Sequence, residues 1–134
     1  MCARVAAAGA RAGTRYDGDV SGLVDVVLGY DCNLACDYCT ISPAMRARSL
    51  RGGDVVRALE TGRERDYDRV AFTGGEPTIR RDLLALVRRA KDLGYGSVKV
   101  QSNGLMFSPG NVSRLTEAGA DLLHVSIHAS DRAL

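Results

Sequence analysis

Apolar and polar residues alternate in short runs along this chain, and between those runs apolar residues recur at helical spacing. In Leu23 to Gly29, Val24, Val26 and Leu28 alternate with Asp25, Val27 and Gly29. That is the period of a strand with one face buried. Val55, Val56 and Leu59 then sit at helical spacing in a segment predicted to end near Gly62. Arg69 to Thr73 reads as a second strand, and Leu83, Leu86, Val87 and Ala90 mark an amphipathic helix stopped by Gly94. Ser97 to Gln101 predicts a third strand, with Val98 and Val100 on one face and Lys99, Gln101 and Asn103 on the other. Ser108 as cap and Pro109 as first-turn proline open a further helix, with Val112 and Leu115 inward and Gly119 at its end. Leu122 to His128 predicts a fourth strand, alternating Leu123, Val125 and Ile127 with His124, Ser126 and His128.

Strand and helix alternation of this kind predicts parallel βα units, an α/β class. Strands of a doubly covered parallel sheet are apolar on both faces, whereas these have one polar face each. The expectation is a curved sheet, part of a (β/α) barrel, with helices outside and a wet or ligand-filled concave side. A solvated face of an open α/β sandwich is the alternative. Chemistry in such folds collects at the carboxyl ends of the strands. There lie the loop holding Cys32, Cys36 and Cys39, the turn Gly74-Gly75-Glu76-Pro77, Ser102-Asn103-Gly104, and the end of the fourth strand.

Composition narrows the field. The 134 residues are enough for one domain, with hydrophobic residues at 46% and charged residues at 25%, ordinary values for a globular chain. A net charge of +2, without a basic run interleaved with aromatics, gives no nucleic-acid signal. No apolar stretch approaches the ~18 residues of a membrane span. Residues 1–20 are Ala/Gly/Arg-rich and read as a disordered leader, with the domain occupying 21–134. Val5 to Ala8 is too short for the apolar stretch of a secretory signal. The cysteines are therefore expected in a reducing compartment, the cytoplasm, where clustered thiols point to metal or redox chemistry.

Cys32, Cys36 and Cys39 form a C-x3-C-x2-C run. A structural zinc site takes four ligands, and the only other cysteine is Cys2, in the leader, which reads as an incidental thiol. A redox C-x-x-C pair, Cys36 with Cys39, leaves Cys32 unexplained. An iron–sulfur cluster normally takes four cysteines, so three invite an exogenous ligand on the remaining iron. Gly74-Gly75 permits close backbone approach and Pro77 fixes the exit into the next helix; an ordinary βα turn is the bland reading. Ser102 and Asn103 are either ligand contacts or turn closers. His124 reads as an interior histidine, and Asp25, Lys99 and Gln101 as substrate-side groups. For Asp25 and Lys99 an ion pair is the preferred expectation.

The C-x3-C-x2-C run with Tyr38 before its last cysteine, Gly-Gly-Glu-Pro after the second strand, and Val-Ser-Ile-His at the fourth together resemble the radical S-adenosylmethionine (SAM) superfamily. The resemblance spans Leu23 to the C-terminus. It implies that Cys32, Cys36 and Cys39 hold a [4Fe–4S] cluster whose open iron binds SAM. Reductive SAM cleavage would then yield a 5′-deoxyadenosyl radical that abstracts hydrogen from an unknown substrate. By the same match Tyr38 lies against the adenine and Ser126 touches SAM. In register with the cysteine loop, the region of Gly74, Gly75, Glu76 and Pro77 is expected to receive the SAM amine, with His128 as a polar contact to SAM or substrate and Asn103 as a ligand contact or turn closer. A flavodoxin- or ferredoxin-like electron donor is implied as a partner. The family core has roughly six βα units, a partial version of the (β/α) barrel, and this chain supplies about four. The expectation is an amino-terminal portion with an unpaired edge on the fourth strand, completed by a C-terminal half. A catalytically incompetent cluster- or SAM-binding fragment and a zinc-binding module are the competing readings.

Overall fold

A computed structural model describes residues 22–127. The leader at residues 1–20, Cys2 and His128 lie outside the described residues. The elements run β1 (Gly22–Val27), α1 (Pro43–Arg46), α2 (Gly52–Glu64), β2 (Tyr67–Thr73), a 3-10 turn (Pro77–Ile79), α3 (Leu83–Asp92), β3 (Ser97–Ser102), α4 (Pro109–Glu117) and β4 (Leu122–Val125). The strands form one parallel sheet in the order β1-β2-β3-β4. Each unit therefore adds on the same side of the last. A doubly wound sheet would reverse direction partway, so this is an arc of a barrel, and the α/β partial-barrel expectation holds.

The register explains the one-sided burial. Val24, Val70 and Val98 lie abreast, as do Val26, Phe72 and Val100. They share one core with Leu59 of α2, Leu83, Leu86, Val87 and Ala90 of α3, and Leu115 of α4. The opposite face carries Asp25, Lys99 and Gln101, all half-buried. Gly94 and Gly119 end their helices at φ +87° and +108°, values that favour glycine. Ser108 caps α4 as predicted, its Oγ accepting from the Asn111 N–H at 3.2 Å.

Several expectations change. The preferred Asp25–Lys99 ion pair does not form among the described residues. Both residues align with Ala71 of the intervening strand, so about two strand spacings, near 9.5 Å, separate them. Regular pairing of β4 stops at Val125, short of the predicted His128. Val125 and Ile127, expected against the helices, are 38% and 80% exposed. Among the described residues β4 is the last strand and pairs only with β3. The end of α2 at Glu64 does fall near Gly62 as expected, but Gly62 itself lies inside the helix, buried, where a Cβ would overlap the Tyr95 hydroxyl and a Val24 methyl.

Tyr95 pins α2 to the sheet. Its ring is buried, its hydroxyl donates to the Leu59 carbonyl at 2.8 Å, and the Arg63 guanidinium sits 5.5 Å from the ring centre. Burial pushes its pKa up to about 12, against the opposing charge of Arg63. Tyr95→Phe should cost about 1 kcal/mol, read as a lower urea midpoint at unchanged slope.

Arg80 ties the loops together beneath the strand ends. Its Nη1 donates to the Leu28 carbonyl, Ser49 Oγ and the Leu50 carbonyl, each at 2.9 Å. Nε and Nη2 fork onto the Asp82 carboxylate at 2.9 and 2.7 Å, and this guanidinium holds the Asp82 carboxyl below its usual range. A depressed carboxyl stabilises the fold fully above its unfolded pKa of about 3.9 and loses that contribution as pH falls through the folded value. Asp82→Asn should therefore melt below the parent at neutral pH, with the gap closing in acid. An equal gap at both pH values would contradict this.

Candidate functional site

The cysteine loop leaves β1 and returns beside it. Tyr30 N–H donates to the Arg48 carbonyl at 2.9 Å and Leu50 N–H to the Leu28 carbonyl at 2.8 Å, closing the excursion that contains every described cysteine. Cys39 N–H donates to the Cys36 carbonyl at 3.0 Å, a tight turn between those ligand candidates. Leu34 N–H lies 3.5 Å from Cys32 Sγ. Cys32, Cys36 and Cys39 are unbridged thiols, half-buried to exposed.

Gly74 and Gly75 serve a close approach, but of backbone to backbone. A Cβ at Gly74 would overlap the Gly29 carbonyl oxygen, and one at Gly75 the Asp31 carbonyl oxygen. Gly75 N–H donates to Gly29 at 2.9 Å and Glu76 N–H to Asp31 at 2.8 Å. The turn after β2 is thus laced to the stem of the cysteine loop.

Glu76 is 3% exposed and turns inward. Its Oε1 accepts from Thr78 N–H at 3.0 Å, Thr78 Oγ1 at 2.5 Å and Ser102 Oγ at 2.8 Å, while Oε2 accepts from Asn103 N–H at 2.7 Å. A buried carboxylate is tolerable only with such partners. Glu76 therefore links the turn after β2 to the end of β3. Pro77 is buried at the start of the 3-10 turn.

One cavity of about 210 Å³ gathers most of the sequence candidates. Cys32, Cys36, Cys39, Tyr38, Gly74, Gly75, Asn103 and Ser126 all line it, joined by Gln101 and Thr73 from the concave face. Glu76 and Pro77 instead border a neighbouring cavity of about 420 Å³, which contains no cysteine. His128 lies outside the described residues, and His124 is exposed on β4. A side-chain hydrogen bond with Cys36 holds the Tyr38 phenol above its ordinary pKa range. Asn103 Nδ2 donates to Asn33 Oδ1 at 2.8 Å and lies 4.0 Å from Cys32 Sγ, so β3 reaches the cysteine loop.

Among the described residues no group of three or more His, Cys, Asp or Glu side chains converges on a point that could hold a single ion. Donors around one zinc would crowd to within roughly 4 Å of each other, given Zn–S bonds near 2.3 Å. A [4Fe–4S] cluster spreads its cysteines over separate irons. Cys32, Cys36 and Cys39 line one cavity, and three cysteines on such a cluster leave one iron open to another ligand.

Sequence reasoning missed Arg46. It sits at the end of α1, lines the cysteine cavity, and donates from Nη1 to the carbonyls of Leu34 at 2.6 Å and Cys32 at 3.4 Å. The Ser42-Pro43 pair that opens α1 was the available signal, the same pairing that marks the start of α4 at Ser108-Pro109.

The model of the radical SAM superfamily matches residues 26–134. The chain belongs to that family. Membership implies a [4Fe–4S] cluster and SAM. Similar proteins include a probable GTP 3′,8-cyclase of Sulfurisphaera tokodaii, 36% identical over 110 residues, covering 81% of this chain and 35% of that protein. Another, of Saccharolobus islandicus, is 35% identical over 108 residues, covering 80% and 35%. The chain thus spans about a third of the length of these curated relatives. Among solved structures, BtrN in complex with AdoMet and 2-DOIA superposes with a TM-score of 0.69 at 21% identity, covering 84% of this chain and 48% of BtrN. BtrN in an open conformation gives 0.67 at 20%, covering 84% and 53%. These share the fold. No described helix is long and apolar enough to cross a membrane.

The bracket at Glu76 gives a test of the frame. Glu76→Gln removes the charge and turns an amide N–H toward one of the donors, so it should cost about 2 kcal/mol, read by urea denaturation of the metal-free chain.

Proposed function

We propose that this chain is the cluster-binding, amino-terminal part of a radical SAM enzyme. The observation that carries the reading is the single cavity shared by Cys32, Cys36, Cys39, Gly74, Gly75, Asn103 and Ser126 at the carboxyl ends of the strands. In this reading the three cysteines hold a [4Fe–4S] cluster and leave one iron open to SAM. When bound, cluster and SAM supply one-electron cleavage of the sulfonium, the source of a hydrogen-abstracting radical. The chain's own residues bind and orient. The backbone of Gly74 and Gly75 borders the place of the SAM amine. Tyr38 offers a ring to the adenine, and Ser126 and Asn103 offer polar contacts from the ends of β4 and β3. Glu76 and Pro77 act at one remove: they set the turn that presents the glycines.

The relatives named as cyclases make GTP the first substrate to try. A reducing one-electron donor of the flavodoxin or ferredoxin kind would complete the reaction. A second reading has its own support. Among the described residues β4 pairs only with β3 and Val125 and Ile127 are exposed, and the second reading is a part that binds cluster and SAM without turnover.

Anaerobic reconstitution with iron and sulfide, then SAM and dithionite, tests both readings. The radical SAM reading expects a [4Fe–4S] spectrum and 5′-deoxyadenosine, both abolished by Cys36→Ala. A cluster without product selects the binding-only reading. A cluster retained in Cys36→Ala removes the ligand assignment.

A further inference from the structure

Arg46 is a cation bound directly to the cysteine loop, and the assignments above do not use it. Its Nη1 is bound to the carbonyls of Leu34 and Cys32, inside the span between the first two cysteines. The side chain is half-buried and faces the cavity that the three cysteines share. None of the ion pairs among the described residues involves Arg46. Asp31 borders the neighbouring cavity with it but does not pair with it. A guanidinium keeps its charge at any working pH. The loop that carries the cysteines also holds the carboxyl groups of Asp31 and Asp37, and Arg46 adds a positive charge that is ion-paired with neither.

We infer that Arg46 is a positioning residue that also acts electrostatically, fixing the loop between Cys32 and Cys36 and raising the reduction potential of the cluster held there. The inference rests on the cluster reading above. Its physical basis is general. Adding one electron to a cluster makes its charge more negative, and a nearby fixed cation stabilises the reduced form more than the oxidised one. Cluster potentials respond to net charge, hydrogen bonding and solvent exposure, and a half-buried pair is screened less than one in bulk water. The bonds to Cys32 and Leu34 hold the charge in place, so it acts at a fixed distance rather than averaging over rotamers.

Loop bracing and charge are separable by substitution. Arg46→Lys keeps the charge and a donor for one carbonyl. Arg46→Gln keeps a donor and loses the charge. The full chain and both variants are reconstituted anaerobically, and the cluster is titrated with dithionite under electron paramagnetic resonance. The expected result is a potential near the parent's in Arg46→Lys and a more negative one in Arg46→Gln. An effect of roughly tenfold on the one-electron equilibrium reads as a shift of about 59 mV. Equal potentials in all three proteins would overturn the electrostatic role, as would equal shifts in Lys and Gln. If Arg46→Gln holds too little cluster to titrate, Arg46→Lys decides: a parental potential at lower loading supports the charge, and a negative shift overturns it. A parent chain that forms no [4Fe–4S] cluster would defeat the functional reading itself, an outcome distinct from any difference among variants.

Discussion

The arrangement at the strand ends depends on the buried carboxylate of Glu76. It accepts from the 3-10 turn that follows β2 and from the end of β3, while the N–H groups of Gly75 and Glu76 donate to the stem of the cysteine loop. Three consecutive βα loops are therefore joined through one turn. Because the carboxylate is out of water, each of its bonds is hard to replace, and the loops are held to one relative position. That rigidity puts thiols from one loop, backbone from the second and an amide from the third around one cavity.

The two glycines of that turn acquire a concrete reason. Their missing side chains are what let the second loop lie against Gly29 and Asp31. Gly74 and Gly75 also line the cavity that the cysteines share. A change there would act on the thiols as well as on any ligand amine. Arg46 works on the same loop from the other direction, through carbonyls between the first two cysteines. The cysteine loop, short of regular structure itself, is thus braced at its stem by backbone and in its span by a cation.

The sheet's direction of growth matters equally. With every unit added on one side, helices collect on the outer face and polar residues on the inner one. The inner row of Asp25, Ala71 and Lys99 shows how this spacing shapes the interior: opposite charges face the hollow from strands that do not touch. They remain apart because a whole strand lies between them, a separation of about two strand spacings. Val125 and Ile127, by contrast, lie exposed at and just past the end of β4.

The amino-acid sequence by itself determined the alternation of strands and helices, the helix stops at Gly94 and Gly119, the cap at Ser108, and the meeting of three cysteines with a Gly-Gly turn on one rim. These are local signals: a two-residue or helical period, a backbone angle that favours glycine, a spacing of thiols. What only the tertiary structure decided involves partners far apart in the chain. Glu76 meets Ser102 and Asn103, Arg46 reaches back to Cys32, Gly62 sits under Tyr95, and Asp25 is kept from Lys99. No local pattern records which side chain will face which across a loop or an intervening strand. That is settled when the strands take their register and the loops are drawn together over their ends.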